Sequence, residues 1–186
     1  MTVELRTPTL DMLPHYADAL KRGWSPDSRR MREFADEQLA AIEQDDAAFI
    51  ARQTDPEAKG APITLPDGSK IARIPGRHFW IWDDAFCGEL GLRWLNDSAD
   101  LPPHVLGHIG YNVVPWKRRQ GCATAALRLV LPHARVLGLP YVEITTDPDN
   151  TVSQKVITAN GGVLIESFTK AAAYGGTPGL RFRIPL

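Results

Sequence analysis

The hydrophobic residues near the start of the chain recur at the spacing of an α-helix. Leu10, Leu13, Ala17 and Leu20 lie three or four residues apart, and this period predicts an amphipathic helix that ends near Gly23. Such a helix turns its apolar side to a protein core and its polar side to water.

A second helix with the same period is predicted after a short break. Ser25-Pro26-Asp27 combines a capping residue with a proline at the first helical position, so we expect the helix to begin there. Its apolar side is predicted to carry Met31, Phe34, Gln38 and Ile42.

The middle of the chain changes to the pattern of β-strands. β-Branched and aromatic residues gather in short runs that are separated by turn residues. The predicted strands are 3–6, 79–82, 87–94 and 105–114, with a small hairpin between Ile63 and Ile71 around the turn sequence Leu65-Pro66-Asp67-Gly68-Ser69.

The last third of the chain alternates strands and helices. Apolar residues repeat at helical spacing from Ala123 onwards, continue past Pro132 and stop at Gly138. The elements predicted after this helix are a strand 141–146, a helix 150–160 and strands 163–168 and 180–184. Antiparallel strands that lead into a β-α-β unit indicate an α/β fold with a mixed, mostly antiparallel central sheet and helices on both faces.

Composition narrows the class of protein. A chain of 186 residues that is 44% hydrophobic is expected to form one domain, 1–186, with its own core. A net charge of −1 argues against a nucleic-acid partner. The two cysteines are too few for a disulfide or metal framework, and no apolar run approaches the ~20 residues of a membrane span. Without a signal-peptide pattern, we expect a cytoplasmic protein with no membrane partner.

The segment HIGYNVVPWKRRQGCATAA, residues 108–126, has the organisation of an anion site. A β-rich run, Ile109 to Val114, ends at Pro115, a basic turn follows, and a helix opens near Cys122. The first amides of a helix lack internal partners and the helix dipole adds positive potential, so an anion can bind there. A plain surface turn between a core strand and a core helix remains the alternative.

Two spacings in the second half resemble one enzyme family. Arg118-x-x-Gly121-x-Ala123 resembles the pyrophosphate-binding signature of the GNAT acyl-CoA N-acyltransferases. Asn150-x-x-Ser153, followed by a Gly-containing helix end, is also similar to that superfamily. Within it, the chain looks closest to the branch that includes the ribosomal-protein N-terminal acetyltransferases, and the resemblance is specific over residues 104–168.

The resemblance implies that acetyl-CoA binds at the turn as the acyl donor, without a metal. Arg118 matches the first motif position, and Asn150 matches the position that contacts the pantetheine arm or the acceptor, although a helix-capping role is an alternative. An amide of Val113 or Val114 would polarise the acetyl carbonyl. The amides expected to hold the pyrophosphate belong to Arg119, Gln120, Gly121, Cys122, Ala123 and Thr124, with the Thr124 hydroxyl as a possible extra donor.

The departing thiolate needs a proton donor. Many family members carry a tyrosine seven residues after the Asn, but here that position is Ile157, which cannot donate. The resemblance implies Ser153 instead, with a merely structural hydroxyl as the alternative, and Tyr174 is a second candidate.

The base that deprotonates the acceptor amine is less well defined. Glu89 and His108 have suitable chemistry on predicted strands, and His104 is a third candidate. Each of the three has a structural role as its alternative. His104 and His108 lie on a strand entry without further ligands nearby, which argues against a zinc site.

Together these features predict an N-acetyltransferase that transfers an acetyl group from acetyl-CoA to a primary amine by direct attack in a ternary complex. The acceptor would be a small molecule or a peptide N-terminus, and the protein a monomer or homodimer. Because of Ile157 and the undefined base, a non-catalytic acyl-CoA-binding or sensing domain is the alternative.

Overall fold

The computed structural model describes residues 2–65 and 68–186. The helices are α1 (Leu13–Lys21), α2 (Met31–Gln44), α3 (Asp46–Ala51), α4 (Cys122–Val136) and α5 (Thr151–Thr158). The strands are β1 (Glu4–Arg6), β2 (Thr54–Asp55), β3 (Ile63–Thr64), β4 (Lys70–Ile71), β5 (Gly76–Trp82), β6 (Phe86–Arg93), β7 (Ile109–Val113), β8 (Tyr141–Thr146), β9 (Val163–Thr169) and β10 (Pro178–Pro185). Of the helices described, none combines the length and the apolar content that crossing a bilayer requires.

The strands form two larger sheets and one hairpin. The first sheet has the order β1-β5-β6-β7, with β2 paired to β5, and the second has the order β8-β10-β9. The pairs β1–β5, β8–β10, β9–β10 and β3–β4 are antiparallel. The expectation of a mixed α/β fold with mostly antiparallel strands is therefore confirmed.

The chain divides into two compact units, each built from several segments. Unit 1 comprises Met1–Thr54, Arg77–Gly91 and Tyr111–Leu129. Unit 2 comprises Asp55–Gly76, Leu92–Gly110 and Val130–Leu186.

Aromatic rings dominate the core of unit 1. Tyr16 of α1 stacks on Trp80 of β5 with the ring centroids 4.9 Å apart. Trp24 and Phe86 meet the Tyr16 ring edge-on, at 5.7 Å and 5.6 Å. Of the apolar side predicted for the first helix, Leu13 and Leu20 are buried in this cluster, whereas Leu10 lies before α1 and is 49% exposed. These contacts fix α1 on strands β5 and β6.

The core of unit 2 lies on β8, β10 and α5. Val142 and Ile144 alternate along β8, and Phe182 and Ile184 are their antiparallel partners on β10. All four side chains are buried, as is Ile157 of α5. The chain before β7 joins this unit because His108 N–H donates to Glu143 O at 2.7 Å.

The predicted start of the second helix is wrong. Ser25-Pro26-Asp27 precedes a turn, and α2 begins only at Met31. The Asp27 carboxylate accepts from Arg29 N–H at 2.7 Å and from Arg30 N–H at 3.1 Å, so it stabilises the turn instead of capping a helix. Met31, predicted on the apolar side, is 47% exposed.

Other elements also differ from the prediction. The strand expected to start at residue 105 begins at Ile109, because Val105 N–H closes a turn on Pro102 O at 2.8 Å. Helix α3 was not predicted, and Asp45 caps it by accepting from Ala48 N–H at 2.8 Å. The small hairpin is confirmed as β3–β4, but its turn residues 66 and 67 lie outside the described residues.

Candidate active site

The segment between β7 and α4 is an exposed turn with two residues in the left-handed backbone region. Pro115–Lys117 forms one 3-10 turn, after which Arg119 has φ +61° and Gly121 has φ +81°. A Cβ at Gly121 would meet no atom within 4 Å, so the glycine faces open space. Its positive φ is the feature that this turn requires of glycine.

The amides that follow this turn are available to a ligand. The first backbone hydrogen bond at the start of α4 joins Ala125 N–H to Gly121 O at 2.9 Å. In this fully described stretch, the N–H groups from Gly121 to Ala123 donate to no backbone carbonyl. Such amides, with the positive end of the α4 dipole behind them, form the kind of site that binds phosphate.

The basic residues of the turn have different roles. Arg118 Nε donates to Val113 O at 3.1 Å, which ties the turn to the end of β7. Lys117 Nζ pairs with Asp83 Oδ1 at 2.7 Å, and this hydrogen bond raises the pKa of Lys117. Arg119 is exposed, so it alone of the three extends from the turn without a described side-chain bond.

The structure distinguishes the two amides considered for the acetyl carbonyl. Val114 N–H donates to Cys87 O of β6 at 2.9 Å, so this amide is already occupied. The N–H and C=O of one residue point to the same edge of a strand. Since Val113 O turns to Arg118, the Val113 N–H points to the same edge, away from β6. Because β7 ends its sheet, Val113 is the better candidate.

Glu89 forms a pair that the sequence analysis missed. Its Oε1 lies 2.7 Å from Nδ1 of His78, which is on the neighbouring strand β5. The Glu89 side chain is 11% exposed and the His78 side chain 43%. This pair, the Glu89–His78 dyad, thus connects a largely buried carboxylate to an imidazole that is exposed to solvent.

Tyr16 lies beside this dyad as a neutral phenol. Burial raises the pKa of Tyr16 well above its usual value, and the negative charge of Glu89 raises it further. The Tyr16 hydroxyl donates to Gln38 Oε1 of α2 at 3.3 Å. Tyr16 is therefore unsuited to act as the base.

Glu89 also lies next to the end of β7. A Cβ at Gly88 would be 2.1 Å from Asn112 O and 2.9 Å from Val113 Cα, so only glycine fits at this contact. The residue after Gly88 is Glu89. The structure thus brings two of the predicted site residues, Glu89 and Val113, to adjacent positions of unit 1.

His108 has no ring nitrogen left for a substrate. It is completely buried, its Nδ1 accepts from Glu143 N–H at 2.9 Å, and its Nε2 lies 3.1 Å from Ala99 O. Burial lowers the pKa of His108, so the ring is neutral and donates through Nε2. These contacts favour a structural role.

His104, a candidate base, and Tyr174, a candidate proton donor, contact each other in unit 2. Tyr174 OH donates to His104 O at 2.8 Å. The contact joins two loops through a backbone carbonyl, and the His104 ring is not part of it.

The start of α5 carries the Asn-x-x-Ser motif. Asn150 is the N-cap, and its Oδ1 accepts from Ser153 N–H at 3.1 Å. The capping role that was considered for Asn150 is therefore present. Asn150 is exposed, and its Nδ2 takes no part in this cap. Ile157, in the place of the expected tyrosine, is fully buried.

Unit 1 also contains a buried cluster of one carboxylate and two thiols, paired with Lys117 of the turn. The side chains of Asp83, Cys87 and Cys122 are buried, and their oxygen and sulfur atoms lie within 4.8 Å of one another. Such ligand types suit a soft cation, but the Lys117 ammonium already pairs with Asp83. Burial favours a higher pKa for Asp83, yet Lys117 and the hydrogen bonds from Cys87 and Ala85 together outweigh it, and the pKa is lowered. Cys122 thus offers the turn its amide and not its thiol.

Solved structures with this fold include acetyltransferases of several kinds. The RimL ribosomal L7/L12 alpha-N-protein acetyltransferase in complex with coenzyme A is 15% identical, with a TM-score of 0.65 over 100% of this chain and 95% of that chain. Mycobacterium smegmatis RimJ, in complex with CoA-disulfide, is 19% identical with a TM-score of 0.62 over 98% and 81%. The microcin C7 self immunity acetyltransferase MccE, in complex with acetyl-CoA and AMP, is 13% identical with a TM-score of 0.59 over 99% and 92%.

The family follows from the sequence match. No curated protein matches the chain. The family described as "Acetyltransferase (GNAT) domain" matches residues 3–163, which is most of the chain and includes both the exposed turn and the Asn-x-x-Ser motif. The chain therefore belongs to the GNAT acetyltransferase family, as its Arg-x-x-Gly-x-Ala spacing indicated.

Proposed function

We propose that the chain is an acetyl-CoA-dependent N-acetyltransferase whose acceptor is a primary amine. The amine attacks the thioester carbonyl directly, in a ternary complex with acetyl-CoA. The observation that carries this proposal is the exposed turn before α4, whose free amides and left-handed Gly121 suit a diphosphate. The family match takes in parts of both units, which supports one functional domain.

The coenzyme is assigned to a continuous set of backbone donors. The pyrophosphate lies on the amides of residues 119–124, and the Val113 N–H polarises the acetyl carbonyl. Asn150 holds the pantetheine arm through Nδ2, since its Oδ1 caps α5. Losing an amide like that of Val113 costs roughly 10²–10³ in rate in other acyl-transfer enzymes, so this strand end dominates the chemistry.

Glu89 is the proposed base and Ser153 the proposed acid. Support for Glu89 comes from its place beside Gly88, which touches Val113, and from its bond to His78. Ser153 is the last residue of the Asn-x-x-Ser motif and lies in the first turn of α5. Glu89 takes a proton from the incoming ammonium, and Ser153 passes a proton to the departing thiolate.

An α-amine at a peptide N-terminus is the favoured acceptor. A lysine amine needs about 4.6 kcal/mol to lose its proton at pH 7, whereas an α-amine needs about 1.4 kcal/mol. A single carboxylate acting as the base suits the smaller cost. The fold neighbour RimL, named as an alpha-N-protein acetyltransferase, is consistent with this class.

A thiol-release assay with a peptide panel tests the proposal. One set of peptides has a free α-amine and no lysine. The matched set has the same sequences with an acetylated N-terminus and one added lysine, and both sets are assayed with acetyl-CoA at pH 7. We expect coenzyme A release and a mass gain of one acetyl group only on free α-amines. Release on the lysine peptides alone would contradict the acceptor class.

Calorimetry with acetyl-CoA separates the enzyme from a sensor. Tight binding without turnover on the peptides, on polyamines and on aminoglycosides would establish the non-catalytic alternative. The absence of binding would contradict both functions and the assignment of the turn.

A further inference from the structure

We propose that His78 carries the proton of the acceptor amine from Glu89 to solvent, an inference that rests on the proposed acetyl transfer. The two residues would form a relay in which Glu89 touches the amine. His78 acts through Glu89 as a positioning residue and is the exit for the proton.

Burial gives the reason for a relay. The Glu89 side chain is 11% exposed, so a proton that it accepts meets little water. His78 Nδ1 lies 2.7 Å from Glu89 Oε1, while 43% of the His78 side chain is exposed. A hydrogen bond of this length provides a path for proton transfer, and the exposed ring reaches the buffer.

The reaction requires such an exit. An ammonium and a thioester give an amide, a thiol and one free proton. The N–H bond of the ammonium breaks as an O–H bond forms on Glu89. The proton then passes to His78 Nδ1, which accepts it in the neutral ring that carries its own proton on Nε2, and the carboxylate is restored. The imidazolium releases one proton to water, and exchange of the exposed ring with water returns the Nε2–H form before the next turnover, so that Nδ1 can accept again. After attack, the second amine proton reaches the thiolate through Ser153, so only the first proton uses the relay.

Two polar side chains described in the same part of unit 1 do not compete for this proton. The titratable group described beside Glu89 is Tyr16 of α1, whose raised pKa keeps it neutral. The α2 residue described there, Gln38, accepts from Tyr16 and does not titrate. Glu89 and His78 are thus the acid–base pair among the described contacts of this cluster.

Chemical rescue tests the relay. We expect His78→Ala to lower kcat by at least about tenfold in dilute, weakly basic buffer. Its affinity for acetyl-CoA in calorimetry stays that of the wild type. Added imidazole restores the rate in proportion to its concentration, because a free base takes the place of the missing ring. His78→Gln keeps a hydrogen-bond partner for Glu89 but cannot take up a proton, so it should be as slow as His78→Ala.

Controls and contrary results complete the test. His15→Ala removes another histidine of unit 1, which packs edge-on against Trp82 at 5.1 Å, and it should keep the wild-type rate. Wild-type kcat in His78→Gln, or a slow His78→Ala that imidazole does not restore, overturns the relay while leaving acetyl transfer standing. A wild-type protein that binds acetyl-CoA but acetylates no amine refutes the proposed function, and the relay with it.

Discussion

Gly121 and Gly138 mark the two ends of α4 with nearly the same backbone conformation. Their φ angles are +81° and +78°, and a Cβ at either would meet no atom within 4 Å. Valine at either position therefore carries the same kind of backbone strain, on the order of 1–2 kcal/mol. Only Gly121 belongs to the turn proposed for the coenzyme.

We predict that Gly121→Val weakens acetyl-CoA binding by at least about tenfold because it redirects the amides that hold the diphosphate. Gly138→Val should lose a similar free energy of unfolding but keep its affinity. Urea unfolding and calorimetry on both variants provide the comparison. Normal affinity in a folded Gly121→Val protein would remove the coenzyme from this turn.

Asn150 combines two roles that one substitution can separate. Its Oδ1 caps α5 by accepting from Ser153 N–H. Asn150→Asp keeps that acceptor and replaces Nδ2, so we predict unchanged stability with a lower coenzyme affinity. Asn150→Ala should also lose about 1 kcal/mol of unfolding free energy, since the cap is gone. Wild-type affinity in Asn150→Asp would confine Asn150 to capping.

At the scale of elements, one ion pair connects the β5–β6 turn to the segment before α4. Asp83 is fully buried at its side chain, and its partner Lys117 is 18% exposed. We predict that Lys117→Met lowers the unfolding free energy by about 3–5 kcal/mol, because a buried carboxylate loses its counter-charge. Adding Asp83→Asn should recover much of the loss. Urea unfolding measures each step, and Lys21→Met, on the exposed side of α1, is the control.

The pH dependence of this pair has a definite sign. Lys117 holds the folded-state pKa of Asp83 below its usual range. The pair therefore contributes fully above pH about 4 and loses its contribution as pH falls through the lowered pKa. The stability difference between the wild type and the double variant should shrink in acid. A constant difference down to pH 2 would contradict the assignment.

The sequence predicted elements whose signals are local. The helical period of apolar residues after Gly121 and the glycine at position 138 predicted α4 correctly. Both signals depend only on residues that are close together in the sequence. The start of α2 was predicted wrongly because a Ser that can cap a helix can equally close a turn, and Ser25 Oγ accepts from Asp27 N–H at 3.2 Å within a turn. Local chemistry does not decide between these two outcomes.

The pairs in the candidate site depend on strand pairing and could not be predicted in this way. Glu89 was found as a candidate by its chemistry, but His78 lies eleven residues earlier and becomes its partner only when β5 pairs with β6. Lys117 and Asp83 are 34 residues apart. Side chains alternate along a strand, so His78 is expected on the same face of β5 as Trp80. No local rule, however, identifies Glu89 as the partner of His78.

At the scale of the whole molecule, coenzyme binding should stabilise the fold. A ligand that binds only the folded chain adds about 2.7 kcal/mol at 100 times its Kd. We predict that saturating acetyl-CoA raises the Tm of the wild type and of Gly138→Val, but not that of Gly121→Val. Thermal unfolding with and without the ligand provides the measurement. An equal shift in all three proteins would place binding away from the turn.

The division into two units has a consequence for how this protein can be altered. Each unit is made of three separate stretches, and the polypeptide changes from one to the other five times. A single cut in the backbone therefore cannot separate the two units, because even a cut after Leu129 leaves all of unit 1 joined to two stretches of unit 2. Recombination that exchanges one contiguous stretch of coding sequence likewise cannot replace the whole of one unit without replacing part of the other.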